Sequence, residues 1–391
     1  TMCIRLAHEM SHCYFGLLLG ESDWSEQWLS EGFADYTEER IFFRANGISP
    51  VDQENRSRLT SFIRYRTLKN DMENTEDFFH LLKQPTISQP QTPVPATSSA
   101  ASSTPESSSS PSISQSVPIP AASPFVARGL EPSFHQIHYL KGYFLLRTLA
   151  LNCGVQEFDM FLGKYVSHFR DQLLTGKDAL NFYFSVFPHL KTATFNTEIL
   201  FNKWIGSSSF SAELNQDIIR LFSDPQHKNP LITQIDEALN VIKTADALSI
   251  AKRKEEAVPM LCQLGVSITR DWVSDQMCLM LERINEGSAL SSWTLDWLDR
   301  MLHFDIRNAD IRHRWCEIAI KFKHFVAFDQ VERLLVEDRA MGLYIFGELL
   351  NGNTKERILA KKVYEIVSVY QDPQVKIKMS KMASDAHLFK N

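Results

Sequence analysis

The 391-residue sequence predicts a mainly α-helical protein. Three observations predict it. Apolar residues recur at helical spacing in more than a dozen stretches, strictly alternating runs are scarce, and β-branched clusters bounded by turn residues are few. In chain order, the first amphipathic stretch is Cys3–Leu18, and a turn-rich loop at Gly20-Glu21-Ser22-Asp23 separates it from Glu26–Phe43. Ser133–Leu151 and Val155–Phe169 carry continuous apolar faces, and Thr197–Trp204 and Asn215–Phe222 are shorter versions. Next come Pro230–Asp246, Ser274–Asn285, Trp293–Leu302, Ile311–Phe322, Phe325–Val336 and Met341–Leu350. The last, Thr354–Val369, follows a Gly352-Asn353 turn. From about residue 230 the helices are short with brief breaks, which predicts stacked helical pairs in a solenoid-like layer, although no strict repeat motif recurs.

One segment departs from this pattern. From Gln84 to Pro124 the chain is Ser, Pro, Thr and Ala with small apolar punctuation, and Glu106 is its single charge. It holds nine of the sixteen prolines. Such a composition buries too little apolar surface to offset an ordering entropy of about 1–2 kcal/mol per residue. A disordered surface insertion is expected, with ends that can still lie close together, because loop closure costs grow only logarithmically with length.

Composition excludes several classes. Hydrophobic residue types make up 44% and charged ones 23%, so a fibrous or wholly disordered chain is ruled out. A formal net charge of −6 gives no whole-chain nucleic-acid footprint. The longest basic cluster, Lys252-Arg253-Lys254, is followed at once by Glu255-Glu256 and reads as a solvated helix face. No run approaches the roughly 18 apolar residues that a membrane span needs, and Thr1–Arg5 lacks a signal-peptide layout. Six scattered cysteines without a C-x-x-C pair predict reduced thiols in a cytoplasmic protein, with a nuclear location also open.

The chemistry concentrates near the start. His8-Glu9-Met10-Ser11-His12 is an H-E-x-x-H on an amphipathic stretch, and residues i and i+4 of a helix share a face, so both imidazoles can reach one ion. Glu9 lies beside them as a base able to take a proton from water at the metal. A catalytic zinc wants three protein ligands, commonly two histidines and one carboxylate, and an open position. Glu31 follows His12 with eighteen residues between, enough for one completed helix, a loop and a returning helix that turns Glu31 toward the first. Glu38, two turns after Glu31, is placed to hydrogen-bond a ligand histidine. The competing reading makes His8 and His12 satisfied, partly buried residues and Glu31 a surface charge.

His8-Glu9-x-x-His12 with Glu31 in Trp28-Leu29-Ser30-Glu31-Gly32-Phe33-Ala34 resembles the zinc aminopeptidases of the leukotriene hydrolase and aminopeptidase B group. His138-Tyr139-Leu140-Lys141-Gly142-Tyr143-Phe144-Leu145-Leu146-Arg147 looks like that family's catalytic tyrosine helix. Arg312–Glu317, Val331-Glu332-Arg333 and Ala340–Tyr344 look like the carboxy-terminal helical domain of one member. The resemblance implies the α-helical part of a thermolysin-like zinc peptidase domain followed by an armadillo-like α-helical domain. Residues 1–83 and 125–206 would be catalytic, 84–124 the insertion and 207–391 the carboxy-terminal domain. It also implies one Zn2+ per chain on His8, His12 and Glu31, with Glu9 as general base and Tyr139 as the hydroxyl that stabilises a tetrahedral oxyanion. Peptides would be the substrates and the chain a monomer. Without the resemblance, the reading of Tyr139 as a buried core tyrosine on an apolar helix would prevail.

Two further positions carry over with two readings each. Glu131, eight residues before Tyr139, would line the pocket for the first side chain and favour Arg or Lys there; otherwise it is a surface residue beside Pro132. Arg339 would bind a peptide carboxylate, or it is a solvated or structural arginine. The family places a Gly-x-Met-Glu-Asn motif, whose Glu holds the substrate amine, a few tens of residues before the zinc helix. Only seven residues precede His8, so that motif and the family's amino-terminal β lobe are expected to be missing, leaving the apolar face of the zinc helix uncovered. A zinc aminopeptidase lacking its amino-terminal half and an inactive helical scaffold are the rival expectations.

Overall fold

The computed structural model describes residues 2–74, 81–82, 136–208, 210–223, 228–337, 342–367 and 373–388. The Ser/Pro-rich insertion, Glu131 and Arg339 lie outside the described residues. Within them the chain is mainly α-helical, and its only sheet is a two-residue parallel pair. Contacts divide the chain into two compact units: one holds residues 8–38 and 65–216, the other 1–7, 39–64 and 217–391.

The elements of the first part are α1 (Met2–Ser11), β1 (Gly20–Glu21), α2 (Trp28–Ala45), α3 (Pro50–Asn74), α4 (Ile137–Cys153), α5 (Val155–His168), β2 (Leu173–Leu174) and α6 (Gly176–Val186). Two of them differ from expectation. The expected helix Cys3–Leu18 stops at Ser11, because the chain turns through Gly16, whose φ of +114° suits glycine, and the Leu19 N–H donates back to the Tyr14 carbonyl. α3 is the longest helix described and shows little apolar periodicity, since Arg, Glu, Asp and Asn crowd it. Its start was nevertheless encoded: Ser49 precedes Pro50, the Asp52 N–H donates to Ser49 Oγ, and the Ser49 hydroxyl donates to Asp52 Oδ2.

The unit of residues 8–38 and 65–216 is built around aromatic side chains. Trp28, Phe33, Tyr143, Phe144, Phe158 and Tyr183 are all fully buried. Phe33 stacks on Tyr165 at 5.1 Å, Tyr36 meets Phe158 edge-on, and each such pair adds about 0.5–1.5 kcal/mol beyond area burial. Tyr183 donates its hydroxyl to the Leu149 carbonyl at 2.8 Å, which satisfies the one polar atom it buries. α6 begins under buried Glu26, which accepts the Gly176 N–H; a Cβ at Gly176 would lie 3.0 Å from both Trp28 and Ile205. On the surface of this unit Met10 and Leu17 are exposed.

The other unit is a succession of packed helices. Pro230–Ala247 packs against Val258–Asp271 and Ser274–Glu286. Ser274–Glu286 packs against Ala309–Lys321, then come Phe328–Glu337 and Thr354–Val367, and Leu343–Asn351 meets Pro373–Asp385. Side-chain caps start several of these: Asn229 accepts from Leu231 N, Ser291 from Thr294 N, and Asn308 from Ile311 N. Leu59 joins the same core, Thr60 donates to Asp275, and the Asn229 amide donates to the Asn55 carbonyl at 2.8 Å. Arg253, expected on a solvated face, lies over the Trp293 ring at 4.9 Å, whereas Lys252 pairs with Glu256 as a surface ion pair.

Glu317 supplies a pH test of this packing. Burial, together with the nearby Glu282 and Glu348 charges, pushes its carboxyl up to about 6 against the pull of Arg314. A carboxyl raised in the folded state costs stability as pH rises through the window from 4.5 to about 6, and the cost persists above it. Glu317→Gln is therefore expected to raise the thermal midpoint at pH 8, by at most about 2 kcal/mol of stability, and to leave it unchanged at pH 4. A gain that was as large at pH 4 as at pH 8 would contradict this account.

Candidate metal centre

α1 presents His8 and His12 on one face, and the turn that ends it completes the arrangement. His12 Nδ1 donates to the Phe15 carbonyl at 3.0 Å, and a carbonyl only accepts, so His12 Nε2 keeps its lone pair. His8 Nδ1 faces two carboxylates, Asp35 Oδ1 at 3.3 Å and Glu38 Oε2 at 3.2 Å, and so His8 Nε2 is likewise the free side of its ring. The two Nε2 atoms approach to 3.2 Å. Glu31 Oε2 closes the triangle at 3.4 Å from His8 Nε2 and 3.3 Å from His12 Nε2.

With both imidazoles neutral, as a metal ligand must be, three lone pairs converge on one point and repel one another unless a proton or a cation stands between them. The edges of the triangle have the right size for one. A tetrahedral ion with bonds of about 2.0–2.1 Å separates its ligand atoms by about 3.3 Å, against the 3.2, 3.3 and 3.4 Å found here. Two imidazoles and one carboxylate also form the donor set of an open, catalytic zinc site rather than a closed structural one. The residues therefore fit the ion that the sequence motif implies.

The local field points the same way. Burial disfavours a charged His8, but Asp35, Glu31 and Glu38 outweigh it and push its pKa up to about 11. A site that holds a proton so firmly is one that holds positive charge. Tyr139, on the first turn of α4, stacks on His8 with ring centroids 6.2 Å apart. Burial, then the charge of Glu31 within hydrogen-bonding reach, and then Asp35 and Glu9 raise its phenol well above the usual range, so it stays a hydrogen-bond donor. Glu9 is exposed on α1 next to His8.

The position of Tyr139 depends on two contacts of its own helix. Gly142, one turn further on, lies against Gly32 of α2: a Cβ on Gly142 would come within 2.9 Å of the Gly32 Cα, and one on Gly32 within 2.8 Å of the Gly142 Cα. Only paired glycines let the two backbones approach this closely, which brings Tyr139 beside Glu31. Lys141 is fully buried, donates to the Ser207 carbonyl at 2.9 Å, and is lowered by burial to about 7. His138, lowered by burial and by Lys141 to about 4, stays neutral at physiological pH.

Four of the five residues expected around the ion thus come together in one place, His8, His12, Glu31 and Tyr139, with Glu9 alongside on α1. Glu38 reaches His8 as anticipated. Asp35 was missed, although Glu31, Asp35 and Glu38 stand at i, i+4 and i+7 in the sequence and so share a face. Glu21 on β1 was also missed; it is half-buried, and burial and then the Glu31 charge raise its pKa.

Fold and site together are similar to those of the M1 peptidases. The peptidase family M1 domain matches residues 3–92, and the carboxy-terminal domain of leukotriene A4 hydrolase matches residues 272–382. The chain is accordingly related to M1 peptidases that carry this carboxy-terminal domain, the group to which its motifs pointed. In more detail, it is 30% identical to aminopeptidase O of Homo sapiens over 364 residues, 92% of this chain and 40% of that protein. It is also 23% identical to aminopeptidase B of Rattus norvegicus over 368 residues, 92% of this chain and 47% of that protein. Native yeast LTA4 hydrolase shares the fold with a TM-score of 0.69 at 18% identity, over 97% of this chain and 53% of that one. A structure of the yeast protein with bestatin aligns at 0.66. The chain spans about two fifths of the length of the curated relatives O and somewhat less than half of B. Among the described residues no helix is long and apolar enough to cross a membrane.

Proposed function

We propose that the chain carries the metal-binding and catalytic core of a zinc aminopeptidase, which hydrolyses the amino-terminal bond of peptides. The observation that carries this reading is the donor triangle of His8, His12 and Glu31, with the Tyr139 ring stacked beside it. A zinc ion held there would polarise the scissile carbonyl and make water more acidic. Glu9 takes the proton of the attacking water and passes it to the leaving amine. Tyr139, held protonated by its surroundings, donates to the oxygen on which negative charge develops. Phe15 and the Asp35–Glu38 pair hold the two imidazoles in the tautomer that leaves both Nε2 atoms for the ion.

A preference for Arg or Lys as first residue depends on Glu131 lining the pocket, and peptide carboxylate binding depends on Arg339; both positions lie outside the described residues. Six free cysteines accord with a cytoplasmic enzyme.

Metal analysis beside an arginyl fluorogenic assay tests the reading on one preparation. The parent is expected to hold close to one zinc and to release the fluorophore. Tyr139→Phe should keep the metal and lose on the order of 10²–10³ in rate, the usual loss for one oxyanion donor. Glu31→Ala should lose zinc itself, because one of three protein ligands is gone. Tight zinc in Glu31→Ala would make the ligand set wrong. A parent that held zinc yet cleaved nothing would instead favour a binding scaffold.

A further inference from the structure

We infer that Asp35 is a positioning residue of the metal centre, sharing with Glu38 the orientation of His8; the inference rests on the zinc reading above. α2 sets Glu31, Asp35 and Glu38 in a row along one face, and the His8 ring inserts across that row. Its Nε2 side meets Glu31 at 3.4 Å, whereas its Nδ1 side meets Asp35 at 3.3 Å and Glu38 at 3.2 Å. An imidazole Nδ1 carries at most one hydrogen, so the two carboxylates share it as a three-centre hydrogen bond.

Burial shows that this sharing is more than a chance approach. Asp35 is 8% exposed and Glu38 7%. Carboxylates so far out of water are costly unless hydrogen-bonded or matched by positive charge. Here the matching charge is on the far side of the ring: a cation at Nε2 draws electrons through the imidazole and strengthens the Nδ1–H toward both acceptors. Asp35 then does two things for the ion. It helps fix the ring plane and tautomer, and it adds a second buried negative charge behind the ligand, which makes His8 a stronger donor. Glu38 by itself would supply the hydrogen-bond acceptor but only half of that charge. The His8, Asp35 and Glu38 donor atoms also lie within 4.8 Å of one another, so the competing possibility is a direct second cation on the Nδ1 side.

The test is the zinc dissociation constant of the chain, by competition with a chromophoric chelator, for the parent, Asp35→Ala, Asp35→Asn and Glu38→Ala. Asp35→Ala and Glu38→Ala are each expected to weaken zinc about 10–100-fold, the range found when a partner of a ligand histidine is removed. Asp35→Asn should fall between Ala and the parent, since its amide oxygen still accepts from Nδ1 while the charge is lost. A merely structural role would lower the thermal midpoint of the metal-free chain and leave zinc affinity unmoved, and Asn would then match the parent. Should Asp35→Ala fail to fold, the near-isosteric Asn variant decides alone. Zinc held within threefold of the parent by the Asp35 variants would overturn the inference and leave the proposed function standing. A parent that took up two zinc ions, falling to one in Asp35→Ala, would overturn it in favour of a ligand role. A parent that bound no zinc at all would overturn both.

Discussion

Glu9→Gln is expected to hold zinc as well as the parent while losing on the order of 10²–10⁴ in turnover, the usual contribution of a positioned general base. The side chain is exposed on α1, so neither core packing nor helix formation depends on its charge. It follows His8 directly and does not belong to the donor triangle, which His8, His12 and Glu31 close without it. Its charge reaches the reaction site all the same, since it is among the groups that raise the Tyr139 phenol. Glutamine keeps the length and removes the ability to take a proton together with the charge. Zinc content near one with turnover lost is the expected pair of results in the metal and arginyl assays. Turnover within tenfold of the parent would remove Glu9 from the mechanism, whatever the metal content.

Gly142→Ala is expected to damage the site from a distance. The added methyl would stand 2.9 Å from the Gly32 Cα and 3.5 Å from both the Trp28 Cβ and the Trp28 carbonyl oxygen. The closest of these is backbone, so nothing can rotate aside and the helices must separate. Overpacking of that kind costs about 1–3 kcal/mol. Tyr139 moves with its helix, and a displacement of about 1 Å at a reacting group can cost about 10²-fold in rate. Zinc should be less affected than rate by the movement of α4, because His8, His12 and Glu31 all lie on α1, its turn and α2. Gly163→Ala is the control: it stands on α5 with open space around the new methyl, and alanine there should be neutral or stabilising by about 0.5–1 kcal/mol. Equal thermal midpoints for Gly142→Ala and Gly163→Ala would refute the close crossing.

Much of this site was legible in the residues. An H-E-x-x-H on an apolar period, with a glutamate after eighteen intervening residues, marks a candidate two-histidine, one-carboxylate centre: helical geometry pairs the histidines, and a returning helix brings the glutamate. Glu38 was legible for the same reason, being seven residues from Glu31. Asp35 stood in the same row and escaped notice because a carboxylate among carboxylates on a helix reads as a solvated face; only its burial marks it out. The helical class was legible from period and from the scarcity of alternating runs. α3 was not, because a helix rich in Arg, Asp and Glu lacks the apolar period, and its Ser49–Asp52 cap was the signal to read.

Sequence by itself determined the helical class, and it marked candidate ligands and a candidate base at spacings that one or two helices can bring together. The local turn through Gly16 ends α1 and puts the Phe15 carbonyl on His12 Nδ1; tertiary structure decided the rest. It alone set the two glycines of α2 and α4 against each other, which brings Tyr139 to the side of His8 from more than a hundred residues away. It alone buried Asp35. The physical reason is common to both: a backbone approach and a desolvated charge are properties of two segments in contact, and periodicity within one segment carries no record of its partner.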